Sequence, residues 1–319
     1  MVSLKEHIKT LLKLDFLALC TMHTANRVIT SFSTSKNMLK PGVGKYYKWK
    51  YGDIFYQKIG EGTPIVLLHD VNPAESGYVW FDVIESLSRN HTLYIVDLPG
   101  CGRSAKPNTT YTNYFYVLFL SSFIKKVVKR KTDVIADGYS SSIALMVSVL
   151  DASLIHQITA INPQSLGNLG RTESRRSRIG KLLLSLPVLG TSLYNIEMSR
   201  RNLDYRFTED YLYNPFRSNN RFIDAFYEGA HYHECSGKYL LASMKGIYLT
   251  VNIQRALKKT QAGFTILYGE GVEHSSDIVR EYTILNNSIR TYPISKTKYL
   301  PMMEFPKAFL HAAEKAGIV

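Results

Sequence analysis

The residues best placed to do chemistry lie in Asp137-Gly138-Tyr139-Ser140-Ser141-Ser142. The apolar run Thr132-Asp133-Val134-Ile135-Ala136 before it reads as a short buried strand, and Ile143-Ala144-Leu145-Met146-Val147 after it as a helix. A serine on a sharp strand-to-helix turn is lifted above the sheet and set at a helix N-terminus. Gly138 and Ser142 supply the small neighbours such a turn needs, so Ser140 is the candidate nucleophile of a Gly-x-Ser-x-small pattern. A serine hydroxyl is a weak nucleophile without a base, so a histidine oriented by a carboxylate is required beside it.

The elements that must hold such a turn are legible. Residues 47–51 and 54–58 flank Gly52-Asp53 as a hairpin, and Ile65-Val66-Leu67-Leu68-His69 is uniformly apolar, as a central parallel strand is. Residues 79–88 read as a helix, 92–97 as a strand, 113–130 as a helix, and 158–163 as another strand. Strands alternating with helices predict an α/β fold, with a mostly parallel central sheet covered by helices on both faces. From 165 to 260 the rhythm gives way to Tyr- and Arg-rich helical segments, and strands return at 264–269 and 288–293 before a closing helix at 305–316. The domains expected are an N-terminal helical extension (1–45), a first core part (46–164), a helical cap insertion (165–260) and a C-terminal core part (261–319).

Composition narrows the function. The 319 residues carry a net charge of +13. Residues 1–50 hold nine Lys/Arg against two Asp/Glu, and residues 165–260 fifteen against eight, so the basic surplus sits in those two segments. Such charge can favour anionic lipid or an acidic ligand, but no base-stacking or groove-reading motif is present, and no nucleic-acid partner is expected. Cys20, Cys101 and Cys235 are widely spaced and odd in number, which gives neither a disulfide framework nor zinc spacing. No cofactor or metal is expected. Residues 11–20 are apolar but interrupted by Lys13 and Asp15, and fall short of the roughly 20 residues of a spanning helix. Lys5, Lys9 and Lys13 share one face of an amphipathic helix; a cytoplasmic chain is the expectation, with that helix either lying on an anionic membrane surface or packing on the body.

In four ordered signatures the chain resembles the α/β-hydrolase fold superfamily, in particular its capped lipase-, esterase- and epoxide-hydrolase-like group. These are the strand ending at His69, the turn Asp97-Leu98-Pro99-Gly100-Cys101-Gly102-Arg103-Ser104, the Ser140 elbow, and Leu300-Pro301-x-x-Glu304-x-Pro306. The resemblance covers residues 46–319 and implies a serine hydrolase acting on an ester or related acyl substrate. Ser140 would be its nucleophile, and the amides of Val71 and Ser141 would hold the oxyanion, with Asp70 and Tyr139 beside them. Small-molecule acyl or apolar ligands are the partners it implies.

The chain departs from this pattern at its base and its acid. Tyr299 stands where the histidine is expected, and a phenol of ordinary pKa about 10 is no base near neutrality. Val272 takes the usual acid position, with Glu273 adjacent, and the alternative acid loop offers Asn162 and Gln164. Asp70 replaces the small residue of the oxyanion loop. His274 is a weak substitute base and Glu273 a weak acid; Lys298, His231 and His233 are weaker still. The alternative reading is a catalytically degenerate hydrolase-fold protein that binds a ligand, a membrane or a protein.

Overall fold

The computed structural model describes residues 4–39 and 44–318. Eight strands form one sheet: β1 (Gly44–Trp49), β2 (Gly52–Ile59), β3 (Thr63–Leu68), β4 (His91–Val96), β5 (Thr132–Asp137), β6 (Ile155–Ile161), β7 (Gly263–Gly269) and β8 (Arg290–Ile294). Their order is β1-β2-β4-β3-β5-β6-β7-β8. The β1–β2 and β2–β4 pairs are antiparallel and all others parallel. Ile65, Val66, Leu67 and Leu68 of β3 are each at most 1% exposed, because helices cover both faces of the sheet. Burial of each such side chain contributes about 1.5–3 kcal/mol.

The parallel strands end in step. Leu68 pairs with Ala136, Asp137 with Ile161, and Ile161 with Leu267. The loops that follow β3, β5, β6, β7 and β8 therefore meet along one edge, where ligands of open α/β sheets bind.

Helix α1 (Leu4–Ser33) precedes the sheet, α2 (Asn113–Phe123) follows β4, and α3 (Tyr139–Leu150) follows β5. The stretch between β6 and β7 is helical, with α4 (Arg175–Ser185), α5 (Val188–Glu197), α6 (Asn220–His231) and α7 (Lys238–Lys245) as its main elements. α8 (Pro306–Lys315) closes the chain on the sheet. The C-terminal half of α1 docks on this helical layer. Asn26 Nδ2 donates to the Val188 carbonyl and accepts from Asn195 Nδ2 through Oδ1, and Lys36 pairs with Asp224 at 2.8 Å.

Two helical expectations need correction. Residues 79–88 form a 3-10 turn at Gly77–Trp80 and one helical turn at Ile84–Leu87, with Trp80 and Val83 fully buried. The helix expected through residue 130 widens after Phe123 into a π turn (Ile124–Val128) that stops at Lys129, whose φ of 61° ends it in the left-handed region. A third difference matters for function: α3 begins at Tyr139, so only Gly138 separates β5 from the helix.

Candidate functional site

The sharp turn is made by Gly138, with φ 51° and ψ −124°. Only glycine adopts that region without strain. Ser140, expected at this corner, lies two residues further on in the first turn of α3. It is fully buried, and its hydroxyl donates to the His69 carbonyl at 2.5 Å. Ser141 is likewise committed: its amide donates to the Gly138 carbonyl at 3.3 Å and its hydroxyl to the same oxygen at 2.7 Å. Neither Ser140, expected as nucleophile, nor the Ser141 amide, expected as an oxyanion donor, stands at the corner. The amide that follows the corner is that of Tyr139.

That amide is already occupied. Asp70 Oδ1 accepts from Tyr139 N and from Val71 N, each at 2.7 Å. These are the two donors, one after the elbow and one after β3, that would face an oxyanion. The carboxylate also fills the space over the elbow. A Cβ added to Gly138 would stand 2.3 Å from Asp70 Cγ and 2.4 and 2.5 Å from its oxygens. Burial pushes the Asp70 pKa up to about 6, against the pull of the two amides.

Two more carboxylates share this spot. Glu75 accepts from the Asp70 amide at 3.1 Å, and from Asn72 Nδ2 at 3.4 Å. Asp137 ends β5. Burial first, and neighbouring carboxylates second, push both groups well above the usual carboxylate range. With Asn162, Gln164, Asp210, Tyr211 and Tyr299 they line a cavity of about 330 Å³. Sequence reasoning missed Glu75 and Asp137. The frame Ala136-x-Gly138-x-Ser140-Ser141, with small residues two before and two and three after the corner, was the signal for Gly138.

Tyr299 does border this cavity. Its amide donates to the Tyr211 carbonyl, and its own carbonyl accepts from Asn162 Nδ2 at 3.0 Å. Burial, then Glu273 and Asp210, raise its pKa, so it stays a neutral phenol. Buried Glu304 fixes the segment by accepting from the amides of Lys298 and Asn214. Val272 is buried. Glu273 and His274 are surface groups, paired with each other at 3.4 Å, and His274 also faces Asp277 at 3.6 Å. Lys298 Nζ donates to the Glu209 carbonyl.

His231, His233 and His69 each hydrogen-bond to backbone. His231 Nδ1 lies 2.7 Å from the Tyr227 carbonyl and His233 Nε2 3.1 Å from that of Arg103, and among the described residues no group of three or more His, Cys, Asp or Glu could hold a metal. His69 Nε2 accepts from the Leu98 amide while Nδ1 donates to the Asp70 carbonyl. Burial lowers its pKa to about 4, and the neutral ring staples β3 to the turn after β4. Among the described residues, no imidazole hydrogen-bonds to Ser140.

The glycine-rich turn is structural. Asp97 accepts from the amides of Gly77 and Arg103 and pairs with the Arg103 guanidinium at 2.7 and 2.9 Å. Burial raises the Asp97 pKa, but Arg103 outweighs it and holds the group below its ordinary value. A Cβ on Gly102 would meet Asp97 Oδ2 at 2.4 Å, which explains the small residue there.

A second cavity of about 250 Å³ opens between core and helical layer. Tyr139, Met198, Leu241, Met244, Ile247 and Leu249 give it apolar walls. Arg171, Arg206 and Lys245 rim it, and Glu197 accepts from Arg206 at 2.7 Å and pairs with Lys245 at 3.3 Å. Asn72 borders both cavities.

Strand order, the elbow and the helical layer define a class, and the chain has the α/β-hydrolase fold. No family model matches it. Over 113 residues it is 30% identical to the 2-hydroxy-6-oxo-6-(2'-aminophenyl)hexa-2,4-dienoic acid hydrolase of Metapseudomonas resinovorans, a match that spans 35% of this chain and 39% of that relative. A solved serine hydrolase involved in carbazole degradation superposes with a TM-score of 0.70 at 19% identity, over 86% of this chain and 98% of its own. A membrane phospholipase A superposes with a TM-score of 0.67 at 15% identity, over 99% of both chains.

Proposed function

We propose that this chain is a hydrolase-fold protein that binds, without cleaving it, a small molecule with an apolar or acyl body in the cavity between core and helical layer. The observation that carries this reading is the Asp70 carboxylate, seated on the amides of Val71 and Tyr139 over a glycine elbow. Acyl transfer develops negative charge on the carbonyl oxygen, and loss of one donor there typically costs about 10²–10³ in rate. Here both donors are engaged, and by an anion-forming group that would repel the charge. Ser140 is turned into the core, and Tyr299 supplies no base near neutrality. The wall of Tyr139, Met198, Leu241 and Leu249 suits an apolar body, and the Arg171 rim suits an anionic head.

The second reading, an active serine hydrolase using Ser140, draws support from the names of the relatives, which are hydrolases. A fluorophosphonate probe separates the two. The binding reading expects no labelling of folded wild type, together with a thermal shift on addition of medium-chain fatty acids that Leu241→Arg abolishes. Stoichiometric labelling that disappears in Ser140→Ala would overturn it. The phospholipase neighbour, which also covers α1, is called a membrane protein; that name supports a lipid-facing role for α1.

A further inference from the structure

The large apolar side chains exposed among the described residues are concentrated in two places. Ile8, Leu11, Leu12, Leu14, Phe16, Leu17 and Leu19 lie on α1. Ile179, Leu182, Leu183, Leu186, Leu189, Leu193 and Ile196 lie on α4, α5 and the turn between them. The two groups adjoin, because α5 is the element on which α1 packs.

Residues 6–21 of α1 are all exposed, a free length of about 24 Å. Ile8, Leu12, Phe16, Leu19 and Met22 continue, at three- and four-residue spacing, the face that carries buried Asn26 and Ser33, with Asp15 also on that face. The stripe that docks α1 on the body thus runs on past the body. Leu14 and Leu17 lie off that stripe, so the apolar surface of the free half is wider than the docking face. A protein partner docked on the stripe would leave those two in water, whereas a bilayer takes them as well and lets Lys9 and Lys13 reach back to the headgroups. α4 adds charge complementarity: it carries Arg175, Arg176, Arg178 and Lys181, no acidic residue, and no buried side chain. No single described helix is long and apolar enough to cross a membrane.

We propose that the free half of α1 and the exposed faces of α4 and α5 form one surface that embeds in the outer layer of an anionic lipid bilayer, with the arginines of α4 on the headgroups. The inference is independent of how the pocket works. Each basic residue near an anionic surface is worth about 1 kcal/mol, so reversing three arginines should weaken anionic-vesicle binding by well over tenfold.

The test is co-sedimentation of the full chain with phosphatidylcholine vesicles, with and without 30 mol% phosphatidylglycerol (a fraction of roughly the anionic content that attracts basic segments). Wild type is expected to pellet with the anionic vesicles. Leu12→Glu/Phe16→Glu/Leu17→Glu should lose binding to both compositions. Arg175→Glu/Arg176→Glu/Arg178→Glu should lose the anionic preference. An environment-sensitive fluorophore on Cys20, which is exposed whereas Cys101 and Cys235 are buried, should shift to the blue on vesicle addition, and unchanged thermal melts show that both variants fold. The proposal is overturned if either variant binds as wild type does, or if both vesicle compositions are taken up alike. It also fails if wild type stays in the supernatant as a dimer that the α1 variant dissociates.

Discussion

Replacing Gly138 by serine puts a side chain where Asp70 now sits. Its Cβ would lie 2.3 Å from Asp70 Cγ, and its backbone would keep φ near 51°. The strain of that conformation for an L-residue is about 1–3 kcal/mol. Asp70 must also be displaced, which breaks two charge-assisted hydrogen bonds worth about 1.5–3 kcal/mol each before water replaces them. Gly138→Ser alone is therefore expected to destabilise by about 2–5 kcal/mol. In an Asp70→Gly background the displacement cost vanishes and only the backbone strain remains, so the double variant should be more stable than the summed single effects by about 1–3 kcal/mol. Urea unfolding of wild type, both singles and the double measures this directly, with unchanged m-values as the control. Additivity within about 0.5 kcal/mol would refute the placement of the Asp70 carboxylate over the elbow.

Ser140→Ala should cost about 1–3 kcal/mol, because it leaves the buried His69 carbonyl without its donor; urea midpoints check it, and an unchanged midpoint contradicts the buried hydrogen bond. The Asp70 pKa is raised in the folded state from about 3.8 to about 6, so its contribution to stability is complete below pH 4 and is lost as pH rises through 6. Because Asp70 borders the cavity, that loss is discounted to about 1–2 kcal/mol. Midpoints at pH 5 and 7.5 should differ less in Asp70→Asn than in wild type; equal slopes would rule the linkage out. Asp97→Ala should destabilise by about 3–5 kcal/mol, since it strands the buried Arg103 guanidinium, and a loss below 1 kcal/mol by the same assay would oppose that view. Tyr299→His by itself should bring no hydrolysis of p-nitrophenyl esters, because the elbow still lacks a hydroxyl; turnover above the wild-type background would argue for Ser140 after all.

Much of the fold is visible in the order of residue types. Uniformly apolar runs such as Ile65-Val66-Leu67-Leu68 can only be central strands, since both of their faces must be covered, and their alternation with helices dictates a parallel sheet. The turn from Asp97 to Ser104 was equally legible from its glycines: Gly102 makes room for Asp97 of the buried ion pair and Gly100 for the Tyr111 ring. The break in rhythm after residue 164 marked the helical layer over the site.

The site was legible only as a location. Spacing placed a small-residue corner after β5, and the resemblance to the hydrolase fold implied Tyr299 beside it, but Gly138-Tyr139-Ser140 allows either Gly138 or Ser140 to hold the corner. Local sequence cannot choose between frames two residues apart when Ala136, Gly138, Ser140 and Ser142, the positions that must be small in one frame or the other, are all small. The choice came from packing. With Asp137 paired to Ile161 at the strand end and Asp70 drawn onto the amides of Val71 and Tyr139, the only room at the corner was for a residue without a side chain. That convergence joins residues 70, 75, 137, 138 and 299, which no local pattern relates. Sequence by itself determined the sheet, its direction and the edge where a pocket would form, because those follow from local apolar pattern and chain connectivity. Only the tertiary structure decided that a carboxylate lies over the elbow and that the serine is turned away, because both depend on long-range hydrogen bonds and on space measured in tenths of an ångström.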